Sequence, residues 1–316
     1  MERYFLIADL GSNSVRMDII GLQKNGLYRV AKRVRLSCRL SEGLAERNLL
    51  QTAAIERTIN VLHRLREIAD EFPLICEYAV ATEALRRAQN REVFLRRAKE
   101  ETGFSFVIID GRQEAYYDYL GVIRSMSLEN FILLDTGGGS SELVLVKNQK
   151  IVDVCCVPFG SITLTEQFAK GTSMSREDYD RASRYVCKKW EQISWLEKGK
   201  GLAVVGLGGS IRTMVKIHQK KEGNDLPLHG YRIFVHDVVQ FRDEMLQMNH
   251  QQRKEIAGMD PLRADIITAG ILPLDTLMRT IESPFLLASA YGLREGLCYE
   301  KCQEILEQGK LNSLFQ

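Results

Sequence analysis

The chain has 316 residues, 45% hydrophobic and 27% charged, with a formal net charge of +2. This is ordinary globular composition, and the near balance of charge excludes a general polyanion binder, so any anion site must be a local arrangement. The length predicts about two domains, each able to bury its own core.

Seven scattered cysteines, without a Cys-x-x-Cys, argue against a disulfide framework or a zinc site. Cys298 and Cys302, one helical turn apart, read as core packing. The five histidines have no metal-ligand spacing. The first residues, MERYFLIADL, lack the features of a signal peptide, and no apolar run nears the ~20 residues of a membrane span. The expectation is a cytoplasmic protein with no membrane partner.

In chain order, residues 4–11 (YFLIADLG) read as a buried strand and 14–23 (SVRMDIIGLQ) as its hairpin partner, with Gly11 and Asn13 in the turn. Residues 26–40 continue as a third strand. Helical spacing follows over 51–71, with Ile55, Ile59, Leu62, Leu65 and Ile68 on one face. Residues 74–82 form a strand. Residues 90–103 form a helix opening on Asn90 and closing on Gly103. Then come a strand at 104–111 and a helix at 112–125.

The pattern then restarts. Three strands are expected at 130–138, 140–148 and 150–159, then helices at about 161–169 and 176–193. A strand at 201–209 runs into a helix at 210–221. Helices follow over 236–248, 252–258 and 263–281, then a short strand at 285–289 and a closing helix from 291. Each half opens with Asp-x-Gly-x-x-Ser in a strand turn: Asp9, Gly11, Ser14 and Asp135, Gly137, Ser140. Such a duplication implies two similar α/β domains with a cleft between them. The expected division is 1–127 and 128–299, with residues 300–316 packing back on the first domain.

The two turns suit phosphate. Glycines let the backbone approach a ligand and aim several N–H groups at one point. Gly137, Gly138 and Gly139, with Ser140 and Ser141, face this reading in one half; Asn13 and Ser14 do so in the other. Asp9, Asp135 and Glu142 would repel phosphate directly, and a carboxylate beside a phosphate cradle usually holds a divalent metal; Mg²⁺ takes one or two carboxylates and keeps its waters. The competing reading is a plain hairpin with ordinary turn residues. Gly208, Gly209 and Ser210, between a strand and a helix, form a weaker phosphate signal, because such turns also serve only to pack helix on strand.

Together DLGSNSVRM, ATEALRRAQNREVFLRRAKEETG, DGRQEAYYDYLGV, LLDTGGGSSELV, GLGGSIRTM, RADIITAG and YGLREGLCYE resemble the exopolyphosphatase / guanosine pentaphosphate phosphatase family from about Phe5 to Glu300. That resemblance implies duplicated ribonuclease-H-like domains of the actin-like ATPase superfamily. It implies that Glu114, in GRQEA, is the catalytic base, and that Arg86, in TEALRRA, binds phosphate. On its own, Glu114 also reads as a carboxylate favoured by a helix N-terminus. The resemblance further implies Mg²⁺ (or Mn²⁺) as cofactor and polyphosphate or guanosine pentaphosphate as substrate. Family members are often dimers, although no interface signal is visible here. Two positions depart from the family pattern: Gln113 stands where many relatives have glutamate, and Ala290 where they have aspartate.

Basic runs at 29–39 and 85–99 read as solvated faces, or as tracks for a polyanion if they line a cleft. They lack interleaved aromatics, which argues against a nucleic acid polymer. The leading expectation is a Mg²⁺-dependent phosphohydrolase acting on the terminal phosphate of polyphosphate. Guanosine pentaphosphate hydrolysis is the near rival. A small-molecule kinase and a non-enzymatic actin-like nucleotide-binding protein are the more distant ones.

Overall fold

The computed structural model describes residues 3–23, 27–171 and 174–307. It divides into two compact units, Met1–Gly121 with Leu293–Gln316, and Val122–Gly292. The crossings therefore fall six or seven residues ahead of the expected 127 and 299. Of the expected closing segment, residues 308–316 lie outside the described residues.

The first unit is built on β1 (Arg3–Leu10), β2 (Ser14–Leu22), β3 (Tyr28–Ser37), β4 (Leu74–Ala81) and β5 (Phe106–Ile108). Their order in the sheet is β3-β2-β1-β4-β5. The first three strands are antiparallel, and β4 and β5 extend the sheet parallel to β1. Between them lie helices α1 (Leu44–Arg47), α2 (Thr52–Ala69), α3 (Glu83–Arg87), α4 (Arg91–Thr102) and α5 (Gly111–Ile123). Ala54, Ile55, Thr58, Ile59, Leu62 and Leu65 of α2 are buried, which is the stripe its spacing predicts. Ile55, Ile59, Leu62 and Leu65 pack with Phe94 and Ala98 of α4 against Leu6, Ala8, Met17 and Ile19 of the sheet.

The second unit repeats the plan with β6 (Phe131–Thr136), β7 (Ser141–Lys147), β8 (Lys150–Val157), β9 (Val204–Leu207), β10 (Arg232–Phe234) and β11 (Phe285–Ala288). Its order is β10-β11-β9-β6-β7-β8. Here β6, β7 and β8 match β1, β2 and β3, while β9 and β11 match β4 and β5; β10 is an added edge strand. The helices are α6 (Ser161–Phe168), α7 (Arg176–Glu191), α8 (Gly209–Lys221), α9 (Val235–Gln247), α10 (His250–Lys254) and α11 (Ile267–Thr280). Every residue of α11 from Ile267 to Met278 is buried, so it runs through the core and not along its surface. These are duplicated ribonuclease-H-like domains, as expected.

The last helix, α12 (Leu293–Glu307), returns to the first unit. Leu293, Leu297, Cys298, Cys302 and Ile305 cover the second face of its sheet, against Phe5, Ile7, Ile20 and Leu22. Arg294 is tied in as well, donating to Asp18 at 2.6 Å, and Arg33 of β3 holds the same carboxylate at 2.9 Å.

Several local expectations changed. Asn90 stands at the N-cap of α4 as expected, but its side chain makes no cap bond; its carboxamide is spent on the backbone N–H and C=O of Leu50, at 2.9 and 3.0 Å. Gly103 does close that helix, at φ 76°. The helix expected from Arg263 begins at Ile267, behind a 3₁₀ turn at Pro261–Arg263. Parts of the two basic runs are neutralised locally. Arg33 pairs with Asp18 and Glu295, and Arg97 pairs with Glu56 and Glu101. Among the described residues no helix is long and apolar enough to cross a membrane.

Candidate active site

The two Asp-x-Gly-x-x-Ser turns have the same construction. Gly11 N–H donates to Ser14 O at 3.1 Å, and Gly137 N–H donates to Ser140 O at 3.0 Å. Across the hairpins, Asp9 is paired with Arg16, and Asp135 with Glu142. The duplication has therefore kept the turn and reversed the charge opposite the aspartate.

In each turn the carbonyls are held from one side. Ser12 O accepts from Ser41 N–H at 3.2 Å, and Asn13 O accepts from the N–H groups of Cys38 and Arg39, both at 3.0 Å. In the other unit Gly137 O accepts from Ser161 N–H at 3.0 Å, and Gly138 O accepts from Ile162 N–H at 2.8 Å. A trans peptide points its C=O and N–H in opposite directions. The bracing therefore turns the N–H groups of Asn13, Ser14, Gly138 and Gly139 away from the elements that hold each loop. It also occupies the first N–H groups of α6, so that helix start is spent on the loop.

In the first unit, Asp9, Arg86 and Glu114 follow or end β1, β4 and β5, at the carboxyl ends of parallel strands. Glu114 stands in the first turn of α5 and is 8% exposed. Arg86 Nη1 donates to Glu114 Oε2 at 2.6 Å and to Ile109 O at 3.0 Å. Its Nε donates to Glu83 Oε2 at 3.0 Å. Gln113 is a helix cap: it exchanges bonds with Asp110, whose Oδ1 accepts from Gln113 N–H at 2.8 Å and whose N–H donates to Gln113 Oε1 at 3.1 Å. That capping box suits an amide as well as a carboxylate. Asp9 is 7% exposed. Burial pushes its carboxyl above the ordinary value, against the pull of Arg16 and Arg294. Arg16 Nη1 lies 3.8 Å from it.

In the second unit the backbone segments close around Asp135. Gly208 has φ 101°, and a Cβ there would fall 2.4 Å from Thr136 O and 3.0 Å from Asp135 Oδ1. A Cβ on Gly160 would fall 2.6 Å from Gly137 O. No other residue allows these approaches. Ser210, at the start of α8, is 1% exposed, and the guanidinium of Arg263 lies over neighbouring Gly209. Glu142 is 1% exposed and accepts from Cys156 Sγ at 3.2 Å. The buried Asn13 Oδ1 and the hydroxyls of Thr136 and Ser210 have no hydrogen-bond partner among the described residues. Each such group costs about 1–3 kcal/mol, a cost typical of a place where a ligand completes the bonding.

The predicted residues thus fall into two sets. Asp9, Asn13, Ser14, Arg86 and Glu114 belong to the first unit, and Asp135, Gly137, Gly138, Gly139, Ser140, Ser141, Glu142, Gly208, Gly209 and Ser210 to the second. Ser141 departs from its expected role, because its hydroxyl donates to Phe159 O at 2.9 Å and is used in the fold. Of the three expected metal carboxylates, Asp135 and Glu142 are cross-strand neighbours, whereas Asp9 already has a guanidinium beside it. Among the described residues no cluster of three or more His, Cys, Asp or Glu could hold a metal. A hydrated Mg²⁺ needs only one or two carboxylates, and the all-oxygen pair Asp135–Glu142 fits it. Glu83 was missed as a partner of Arg86. Its i, i+3 spacing to Arg86 was the available signal.

Residues 19–305 match the Ppx/GppA phosphatase family. A Haemophilus influenzae protein named "Putative exopolyphosphatase" is 29% identical over 92% of this chain and 89% of its own length. The "Bifunctional 3-dehydroquinate synthase/phosphatase" of Fusobacterium nucleatum is 28% identical over 89% of this chain, which spans 44% of that relative. The crystal structure of the Aquifex aeolicus Ppx/GppA family member is similar with 32% identity and a TM-score of 0.77, covering 98% of this chain and 99% of that one.

Proposed function

The chain belongs to the Ppx/GppA phosphatase family, and from that premise we propose that it is a Mg²⁺-dependent phosphohydrolase that releases the terminal phosphate of inorganic polyphosphate. The observation that carries this reading is the carboxylate of Glu114, 2.6 Å from Arg86 Nη1 and nearly buried at the start of α5. Hydrolysis of a phosphoanhydride needs a water held in line and a base within hydrogen-bond reach of it. Glu114 is that base, and it takes the proton of the attacking water. Arg86 holds the Glu114 carboxylate in one rotamer and adds positive charge beside the developing phosphoryl charge. In the second unit, the N–H groups of Gly138 and Gly139 are the donors to phosphoryl oxygens. Asp135 and Glu142 are the residues that would hold Mg²⁺, which when bound supplies charge neutralisation on a phosphoryl oxygen. The name of the Haemophilus relative supports polyphosphate as substrate, and the second half of the family name keeps guanosine pentaphosphate as the other substrate to assay.

Phosphate release from long-chain polyphosphate, guanosine pentaphosphate and ATP, with Mg²⁺ and with chelator, tests the reading. Glu114→Gln should lower the Mg²⁺-dependent rate by a factor of ~10² or more. A fully active Glu114→Gln enzyme would rule out Glu114 as the base. Preference for guanosine pentaphosphate would move the substrate assignment and leave the chemistry in place.

A further inference from the structure

Arg86 is gripped on two edges of its guanidinium. One edge meets Glu114 Oε2 and the Ile109 carbonyl through Nη1. The other meets Glu83 Oε2 through Nε at 3.0 Å. Glu83 is itself 8% exposed, an unusual place for a carboxylate unless it is paired. It sits at the first position of α3, directly after Thr82, whose N–H is bonded to Leu10 O at the end of β1 at 3.2 Å. Its backbone is therefore tied to the sheet. Its second oxygen lies 4.0 Å from Arg87 Nε, and Arg87 Nη2 donates to Asn48 Oδ1 at 3.2 Å. The series Asn48–Arg87–Glu83–Arg86–Glu114 links the end of α1 to the start of α5.

A guanidinium is planar, and two bonds on different edges fix both its position and the tilt of its plane. The bonds to Glu114 and Ile109 both leave from Nη1, so the bond at Nε is an anchor on the other edge that limits pivoting of the guanidinium about Nη1. We infer that Glu83 is a positioning residue for the reaction: by holding Arg86 through Nε, it fixes the orientation of the Glu114 carboxylate. The inference rests on the proposed role of Glu114 and names a residue that acts on it through Arg86. The two arginines and two glutamates of the series balance in charge, so Glu83 works by geometry and not by adding positive charge to the site.

The experiment compares steady-state phosphate release from polyphosphate by the wild-type chain, Glu83→Ala, Glu83→Gln and Glu114→Gln, with thermal unfolding of each. Glu83→Ala removes the anchor at Nε of Arg86, and a displacement of this kind in a supporting group costs up to ~10²-fold. The expected result is a fall in kcat of about 10-fold or more with KM changed much less. Glu83→Gln keeps an oxygen acceptor opposite Nε, so its kcat should recover to within about threefold of wild type. A purely structural role would instead lower the unfolding temperature and the active fraction of both variants, without separating their kcat values. The inference is overturned if Glu83→Ala keeps wild-type kcat while Glu114→Gln is inactive, or if the Ala and Gln variants are equally impaired. An active Glu114→Gln enzyme removes the parent reading, and this inference goes with it.

Discussion

Gly208→Ala is the sharpest perturbation that the second unit offers. Gly208 has φ 101° and ψ 163°, a region essentially reserved for glycine. Placing an L side chain there costs on the order of 1–3 kcal/mol. The new Cβ would also fall 2.4 Å from Thr136 O, where ordinary contact begins at 3.4 Å. About 1 Å of movement is then needed, against backbone that is itself fixed in the sheet, and such overpacking adds on the order of 1–3 kcal/mol. A loss of about 2–6 kcal/mol follows, or roughly 4–24 °C for a unit of this size. The chain has two tryptophans, and Trp190 and Trp195 both lie in the core of the second unit. Tryptophan fluorescence during urea unfolding therefore reports that unit selectively. The same shift moves Thr136 and Asp135, so phosphate release should fall by ~10²-fold at a temperature where the variant is still folded. A variant that unfolds within about 0.5 kcal/mol of wild type and keeps its activity would refute the account of Gly208 as a forced close approach.

Two further outcomes are expected. Arg294→Met leaves Asp18, 3% exposed, with only the half-exposed Arg33 as a paired cation among the described residues; breaking such a buried pair costs about 3 kcal/mol, and an unchanged denaturation midpoint would show that Arg33 suffices. Asp243 is held below the ordinary carboxylate range, first by Arg242 and also by Arg176. Its stabilising effect is present above the unfolded value of about 4 and is lost as pH falls through the lower folded value. The difference in urea midpoint between wild type and Asp243→Asn should therefore shrink below pH ~4; a difference that stays constant from pH 7 to pH 3 would contradict it.

Much of the fold was visible in the sequence because its signals are long. The strand trios ending at Ser37 and Val157 have enough residues to show their alternation or their continuous apolar runs, and α2 spans five turns with a clear stripe. Helices α1 and α3 and strand β10 have five residues or fewer, too short for any period to emerge. Asn90 marks the start of α4 as its residue type suggests, but the loop at Leu50 takes the carboxamide that would have made the cap bond. At the site, residue identity was legible and partnership was not. The repeated Asp-x-Gly-x-x-Ser is plain in the sequence, yet only the hairpin register shows that Arg16 and Glu142 occupy equivalent places and give the two aspartates opposite surroundings. By residue type Gln113 is a missing carboxylate, whereas its bonds to Asp110 make it part of a capping box.

The return of α12 to the first unit has a consequence for how the protein is made. The face of the first sheet carrying Phe5, Ile7, Ile20 and Leu22 is covered by Leu293, Leu297, Cys298, Cys302 and Ile305. Its own strands and helices are complete by Gly121, but its cover is encoded beyond the whole of Val122–Gly292. On a ribosome adding ~5–20 residues per second, that apolar face waits roughly 10–30 s before its cover is even synthesised. The second unit, continuous in sequence, can fold within that interval; the first cannot finish until α12 has been synthesised. A chain stopped near Gly292 would therefore present a folded second unit beside a half-built first one with an apolar surface, the kind of species that chaperones bind and proteases remove.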